Sequence, residues 1–489
     1  MDEENLEGYS LDPEDWQGLR QLGHRMLDDM FDYQMNRTEG LVWQPMPDEV
    51  RQRFYTPVPQ AGMAAEEVYQ RFRSEVVPYS MGNSHARFWG WVMGNGTPLG
   101  MLADMLAAGL NPTMGGGAHA PALVELQVVD WCRQLFEMPE GTSGLLTSGG
   151  SVANLIGLAV ARQYGADFDI RAEGVYGTQQ RMTIYASSEV HSSVDKAIEL
   201  LGLGNRSLRK IRVDENYRID VEALRTTIDK DLAAGYKPIA LVGCAGTTNT
   251  GAIDPLVELA DIAQEYGLWY HIDGAFGALG YLAPELRPRL AGLSRADSLA
   301  FDLHKLVYLP MEIGGTLVRD EELHRRTFSL RPDYLHEGGR GLAAPQRWLS
   351  DYGIQLTRAF RALKAWMAFQ AHGSEKIGKT ILKNVDQAQY LMQLIEADPD
   401  LEVLAPTDLN IVCFRFAPAS VPEDDFDGIN EELLYRLQES GVAVPSSTML
   451  NGHFAIRVSI TNHRSRRQDF DLLVDEIKQK GEQLLAGGK

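Results

Sequence analysis

The apolar positions along the chain fall into three regimes. Over residues 1–95 they give helices and loops, punctuated by Pro45, Pro47, Pro57 and Pro59, with no strong strand run. Such a segment builds little core of its own, so its apolar residues are expected to pack on something else, such as a second subunit. From 96 to 371, short apolar runs (GLLTS, MTIYAS, PIALVGCAG, LWYHID, SLAFD, GGTLVR) alternate with longer stretches of helical spacing. Strands buried on both faces read as near-continuous apolar runs. The alternation therefore predicts a large α/β domain with a mostly parallel sheet. From 372 to 489 the pattern predicts a smaller α+β domain. It has a helix near 374–396, strands in LEVLAP, NIVCFRF and FAIRVSI, and a terminal helix in QDFDLLVDEIKQKGEQLL.

Size and charge narrow the class. A chain of 489 residues predicts two or three domains. Its net charge of −21 repels nucleic acid and anionic membrane surfaces. Cys132, Cys244 and Cys413 are far apart and form no CxxC pair, which suggests neither a zinc site nor a disulfide framework. They read as core thiols of a reducing compartment. No stretch approaches the ~20 apolar residues of a membrane helix. The opening MDEENLEGYSLDPEDW is acidic and lacks the apolar core of a signal peptide. A cytoplasmic protein with neither nucleic-acid nor membrane partners is expected.

The chemistry-bearing residues each follow one of the apolar runs, and ligands of open α/β sheets sit beyond the C-terminal strand ends. In GLLTSGGSVANLIGLAVAR, a strand enters Ser148-Gly149-Gly150-Ser151 and a helix leaves it, with Val152, Leu155, Ile156 and Ala159 on one face. The N–H groups of that first turn suit a phosphate; a plain serine cap after a glycine turn is the alternative. His191, in YASSEVHSSVDKAIELLG, opens a helix, as a ring to stack on a planar ligand or as a cap. Thr247 and Thr248 close the run PIALVGCAG, either as hydroxyls for a ligand or as part of a simple turn before Asp254-Pro255. Asp273 ends LWYHID and precedes the small residues Gly274 and Ala275. A carboxylate there needs a partner, and a protonated pyridine nitrogen is one; a helix cap or a structural ion pair is the other reading. Lys305 follows SLAFD, and a lysine at that edge is placed for a Schiff base or is simply solvated.

Order and placement together weigh more than any one residue. An anion site, a ring partner and a Schiff-base lysine in succession describe pyridoxal 5′-phosphate. A metal is disfavoured because no close His/Asp/Glu pair has ligand spacing. A dinucleotide is disfavoured because no GxGxxG opens the first βα unit.

HIDGAFG followed by DLHKL at this spacing resembles the group II pyridoxal-phosphate-dependent decarboxylases, the family of aromatic-L-amino-acid, histidine and glutamate decarboxylases. The resemblance runs from about His85 into the C-terminal domain. It implies a fold type I homodimer, with an N-terminal dimerising segment and active sites at the subunit interface. By motif, Lys305 is the Schiff-base lysine and Asp273 the partner of the pyridine nitrogen. His191 stacks on the ring and Ala275 packs on its other face. Gly150, Ser151 and Thr248 match cofactor-binding positions, and His304 matches a histidine that contacts the cofactor region. Asp302 stands where animal members carry asparagine, which leaves its role near the phosphate open. LRPDYLHEGG matches the mobile catalytic loop, in which Tyr334 supplies the proton to the carbanion. Aldehyde-forming members typically lose this tyrosine or the stacking histidine; both are present here, which favours an amine product.

For the substrate, HARFWGWVMGNGTP matches the pocket segment, with Trp89 and Trp91 as walls for an aromatic side chain. Met93 replaces a common proline. Gly115-Gly116-Gly117 stand where aromatic decarboxylases have bulkier residues, either enlarging the pocket, with His119 pointing in, or forming a plain turn. Thr357 matches a position that tunes substrate ring size, and Arg358 one near the phosphate or carboxylate; a cationic helix face is the alternative for Arg358. No arginine pair suits an acidic side chain. The expected activity is decarboxylation of an aromatic L-amino acid. An aldehyde synthase and another fold type I reaction (aminotransferase or lyase) stand as alternatives. A non-enzymatic scaffold is disfavoured by the intact Lys305 and Asp273.

Overall fold

The computed structural model describes residues 10–177, 180–330, 340–344 and 347–487. A first helix, Trp16–Met35, is amphipathic, yet Leu22 is its one fully buried residue. The chain then reaches a two-residue strand, β1 (Phe88–Trp89).

The large domain is built on a seven-stranded sheet: β2 (Ser143–Thr147), β3 (Met182–Ser187), β4 (Leu208–Ile211), β5 (Lys237–Cys244), β6 (Trp269–Gly274), β7 (Ser298–Asp302) and β8 (Gly314–Val318). Their order is β2-β8-β7-β6-β5-β3-β4. β8 runs antiparallel to both neighbours and every other pairing is parallel. β2 therefore points the same way as β3, β5, β6 and β7. All six apolar runs are strands, and β2, β3, β6, β7 and β8 are buried at every position, as a sheet covered on both faces requires. β4, the run LRKI, has polar residues facing out and was not anticipated.

The helix Gly150–Gly165 crosses this sheet and is buried on nearly all sides, from Ala153 and Asn154 through Ile156–Ala161. Its buried surface is broader than the single face the sequence suggested. Gly157 is a notch in it, because a Cβ there would fall 2.6 Å from Cε1 of His271 on β6.

The second sheet combines β9 (Leu401–Val403), β10 (Ile411–Phe416), β11 (Val444–Leu450) and β12 (His453–Ser459) with β1, in the order β1-β11-β12-β10-β9. β1 lies parallel to β11, Phe88 opposite Val444 and Trp89 opposite Pro445. The N-terminal segment, read from sequence as helices and loops, thus supplies an edge strand. A long helix, Ala362–Glu396, bends at Gly373 (φ 70°) and packs on elements of both sheets' layers. Among the described residues, no helix is long and apolar enough to cross a membrane.

Candidate active site

The C-terminal ends of β2, β3, β5, β6 and β7 meet along one sheet edge, and a cavity of about 460 Å³ opens there. Its walls include Ser148 to Ser151, Asn154, His191, Thr247, Thr248, Asp273, Ala275, Asp302, His304 and Lys305. Five separate sequence motifs are therefore brought to one place.

β2 delivers the glycine turn. Val152 and Ala153 donate to the Gly149 carbonyl, so the N–H groups of Gly150 and Ser151 precede the first intrahelical bonds. Gly150 is needed for closeness. A Cβ there would lie 2.7 Å from the Ala275 Cβ and 3.1 Å from Asp302 Oδ2.

β6 delivers Asp273, in register with Cys244 and Ala300. The carboxylate is buried and oriented at both oxygens. Oδ1 accepts the Ala275 N–H at 3.2 Å, and Oδ2 accepts an Asn154 Nδ2–H at 3.0 Å. β7 delivers Asp302, His304 and Lys305. Lys305 Nζ lies 2.8 Å from Asp302 Oδ2, and His304 Nε2 is 3.8 Å from the same oxygen. Asp302 is only 2% exposed, and its Oδ1 has no hydrogen-bond partner among the described residues. Burial holds the His304 imidazole below its ordinary range, with the Lys305 charge acting in the same direction and Asp302 opposing them.

His191 follows β3 and caps the helix Ser192–Leu200. Its Nδ1 accepts from the Ser193 N–H at 3.2 Å and lies 2.8 Å from the Ser193 hydroxyl. With Nδ1 accepting, Nε2 is the ring nitrogen that carries a proton. Thr248 follows β5 in a turn closed by the Ala245–Ile253 bridge. Asp254 belongs to this turn. It accepts the N–H groups of Ile219 and Cys244, and burial pushes its carboxyl up to about 6.

Trp91 stands at the cavity in a left-handed backbone conformation, φ 53°, a costly one for a large side chain. The small domain holds it there. Its N–H donates to Ser446 Oγ at 3.2 Å, and its carbonyl accepts from Arg457 Nη1 at 3.0 Å. Arg457 also donates to the Asn249 carbonyl at 2.8 Å. The sequence reading missed Arg457, Asn154, Ser193 and Phe276. Asn154 had a visible signal, as the one polar residue between Ser151 and Arg162.

Four expected pocket residues lie elsewhere in this chain. Trp89 is fully buried in the small domain, stacked on Phe470 at 4.9 Å, with its Nε1–H on Ser465 Oγ at 3.0 Å. His119 caps the helix Ala120–Leu135. Thr357 is exposed on the surface and does not line the cavity. Arg358 is buried against Glu125 and donates to the Met114 carbonyl at 3.1 Å. The glycines 115–117 do not line the cavity either; a Cβ on Gly116 would fall 2.3 Å from the Trp348 ring, and one on Gly115 2.4 Å from the Leu356 carbonyl oxygen, so these two make room for neighbouring segments of the chain. Tyr334 falls outside the described residues.

The Arg358–Glu125 pair is structural, and removing one partner of such a pair leaves an uncompensated buried charge. Arg358→Met is expected to cost about 3–5 kcal/mol, read as a lower urea midpoint, and Glu125→Gln added to it should recover part of the loss.

The residues at the cavity fit pyridoxal 5′-phosphate. A helix start and neighbouring hydroxyls suit a phosphate. The buried, oriented carboxylate of Asp273 suits a protonated ring nitrogen. Lys305 suits a covalent link, and Gly150, which has no room for a Cβ against Ala275, keeps that wall free of a side chain.

Residues 47–417 match the family model described as the pyridoxal-dependent decarboxylase conserved domain. An aromatic-L-amino-acid decarboxylase of Bacillus atrophaeus is 31% identical over 470 residues, covering 95% of this chain and 96% of the relative. A phenylacetaldehyde synthase of Arabidopsis thaliana is 29% identical over 471 residues, covering 94% of each. A crystal structure of Oryza sativa TDC with PLP and tryptamine aligns with a TM-score of 0.89 at 25% identity, over 97% of this chain and 100% of the other. Fold and site together define a pyridoxal-phosphate enzyme of fold type I. Within that class, the chain belongs to the pyridoxal-dependent decarboxylase family and is a carboxy-lyase.

Proposed function

We propose that this protein decarboxylates an aromatic L-amino acid to the amine and CO2, as a cytoplasmic homodimer. The observation that carries the reading is the convergence of Lys305, Asp273 and His191 on one cavity, with Trp91 and Phe276 as aromatic walls. The aromatic-L-amino-acid decarboxylase that covers nearly the whole chain points to the same substrate class.

When bound, the cofactor supplies an electron sink for the breaking Cα–carboxylate bond. Lys305 would hold it covalently, with Asp302, 2.8 Å from Nζ, as the counter-charge for the lysine ammonium group whenever that amine is free. The helix start at Gly150 and Ser151 takes the phosphate, assisted by Thr248. Asp273 keeps the ring-nitrogen proton in place and stabilises the charge that develops as CO2 leaves. His191 covers one face of the site with Nε2–H as its donor, and Ala275 packs opposite. Tyr334, or His191, returns a proton to Cα.

The dimer is supported by the N-terminal segment, whose Trp16 is 63% and Tyr55 76% exposed in the single chain. Exposed apolar side chains gathered on one segment suit a contact with a second copy.

A second reading, an aldehyde synthase, is favoured by the phenylacetaldehyde synthase relative. The presence of His191 and Tyr334 speaks for the amine. A panel of Trp, Tyr, Phe, Dopa, His, Glu, Asp and aliphatic amino acids, with CO2, amine, aldehyde and peroxide measured together, separates the two. The expected result is CO2 and amine in equal amounts from an aromatic member, from protein that sediments at twice the chain mass. Aldehyde with peroxide would establish the synthase instead, and CO2 from Glu alone would remove the aromatic assignment.

A further inference from the structure

Six buried side chains in and behind the cavity wall form a hydrogen-bond chain that ends on His191 and can run in only one direction. The Trp269 Nε1–H can only donate, and it does so to Ser298 Oγ at 2.7 Å. The Ser298 hydroxyl lies 2.8 Å from His271 Nδ1, and His271 Nε2 lies 2.9 Å from Asn154 Oδ1. A carbonyl oxygen only accepts, so His271 carries its proton on Nε2, and Nδ1 accepts from Ser298. The Asn154 amide then points both its protons away from His271. Nδ2 lies 3.0 Å from Asp273 Oδ2 and 3.0 Å from Ser193 Oγ. The Ser193 hydroxyl in turn donates to His191 Nδ1 at 2.8 Å.

The opposite setting of the Asn154 amide fails on chemistry. It would turn the carbonyl towards the Asp273 carboxylate, acceptor against acceptor. The direction also does not reverse near neutral pH. Burial holds the His271 imidazole down, to about 4, so the ring is neutral above that pH despite the opposing influence of Asp273. The chain is packed in place as well. Trp269, Ser298, His271, Asn154, Ser193 and Asp273 are all buried, and the notch at Gly157 seats the His271 ring.

We propose that Asn154, held by His271, is the positioning residue that ties together Asp273 and His191, the two groups that engage the cofactor from different elements. Asp273 lies next to the end of β6 and His191 caps a helix after β3; from a third element, the helix Gly150–Gly165, Asn154 bonds Asp273 directly and His191 through Ser193. This inference rests on the decarboxylase reading above. With the amide in place, Asp273 Oδ2 is aimed and the His191 ring is fixed in its plane. Without it, Asp273 keeps a single described donor, the Ala275 N–H.

Three variants of the full-length, pyridoxal 5′-phosphate-loaded protein test it. Asn154→Asp sets a second carboxylate beside Asp273; kcat is expected to fall about 100-fold with KM within about threefold, and the visible absorption band of the bound cofactor to shift. His271→Leu removes the donor to Asn154 Oδ1 and leaves the amide without its anchor; kcat is expected to fall about 10-fold with a band shift in the same direction. His271→Gln keeps an N–H for Asn154 and is expected to restore the wild-type band and kcat to within about threefold. The positioning role is overturned if His271→Leu matches the wild type in band and kcat. It is overturned equally if His271→Gln is as impaired as His271→Leu, since packing of the ring would then be the whole effect. The two histidine variants decide the matter should Asn154→Asp fail to fold. Failure of the unaltered protein to bind the cofactor or to release CO2 would instead remove the reading on which this rests.

Discussion

Lys305→Arg yields a folded protein whose turnover falls below about 10⁻⁴ of the wild type, the scale seen when a covalent catalytic group is lost. Arginine keeps a cation beside Asp302, whose carboxylate is buried and whose Oδ2 is 2.8 Å from Lys305 Nζ. The charge balance of the site therefore survives. What arginine lacks is an amine able to link to the cofactor, because the guanidinium stays protonated. Lys305→Ala is a less clean test, because it leaves Asp302 without its cation and costs stability as well. Borohydride reduction followed by peptide mass spectrometry should place the phosphopyridoxyl group on the Lys305 peptide of the wild type and on no peptide of Lys305→Arg. Activity above about 1% of the wild type in Lys305→Arg, or a label on another lysine, would rule out this assignment.

Asp273→Asn is expected to lower kcat/KM by about 10²–10³, the usual scale for loss of one preorganised electrostatic group. The substitution is nearly isosteric, and its side-chain oxygen can still accept the Ala275 N–H. The other end fails, since an amide NH2 would face the NH2 of Asn154, donor against donor, where Oδ2 now accepts at 3.0 Å. The loss of charge also removes the counter-ion of the ring nitrogen, so cofactor affinity should fall with activity. Steady-state kinetics and a cofactor titration by absorbance check both, and circular dichroism confirms the fold. A variant with unchanged cofactor affinity and less than about a tenfold loss of rate would mean that Asp273 is a structural residue.

The residues legible from sequence are those whose position depends on local rules. Asp273 and Lys305 each follow a short apolar run, and a buried parallel strand is such a run. Once the sheet direction is known, everything just beyond a C-terminal strand end lies on the same edge. Gly150, Ser151, His191, Thr248, Ala275, Asp302 and His304 reached the cavity by this rule.

The two tryptophans show where the rule stops. The resemblance of HARFWGWVMGNGTP to the family's pocket segment places both at the pocket, and residues 89 and 91 would share a face in an extended strand. β1 ends at Trp89, which turns into the small domain, and the left-handed backbone at Trp91 breaks the alternation. That conformation is held by Ser446 and Arg457, more than 350 residues along the chain, and no local pattern announces it. Arg358 is a similar case. Its carboxylate partner, Glu125, is 233 residues away, and pairing at that range converts an expected ligand contact into a buried strut.

By itself, then, the sequence determined the parallel sheet, the edge on which chemistry sits, and the lysine, aspartate and histidine that populate it. Those features follow from backbone hydrogen bonding and apolar burial, which act over a few residues. Only the tertiary structure decided which tryptophan faces the cavity, that Gly116 makes room for Trp348, and that Asn154 bonds both Asp273 and Ser193. Each of these depends on side chains from distant segments meeting in a close-packed interior, where a partner is chosen by shape and by donor-to-acceptor direction rather than by distance along the chain.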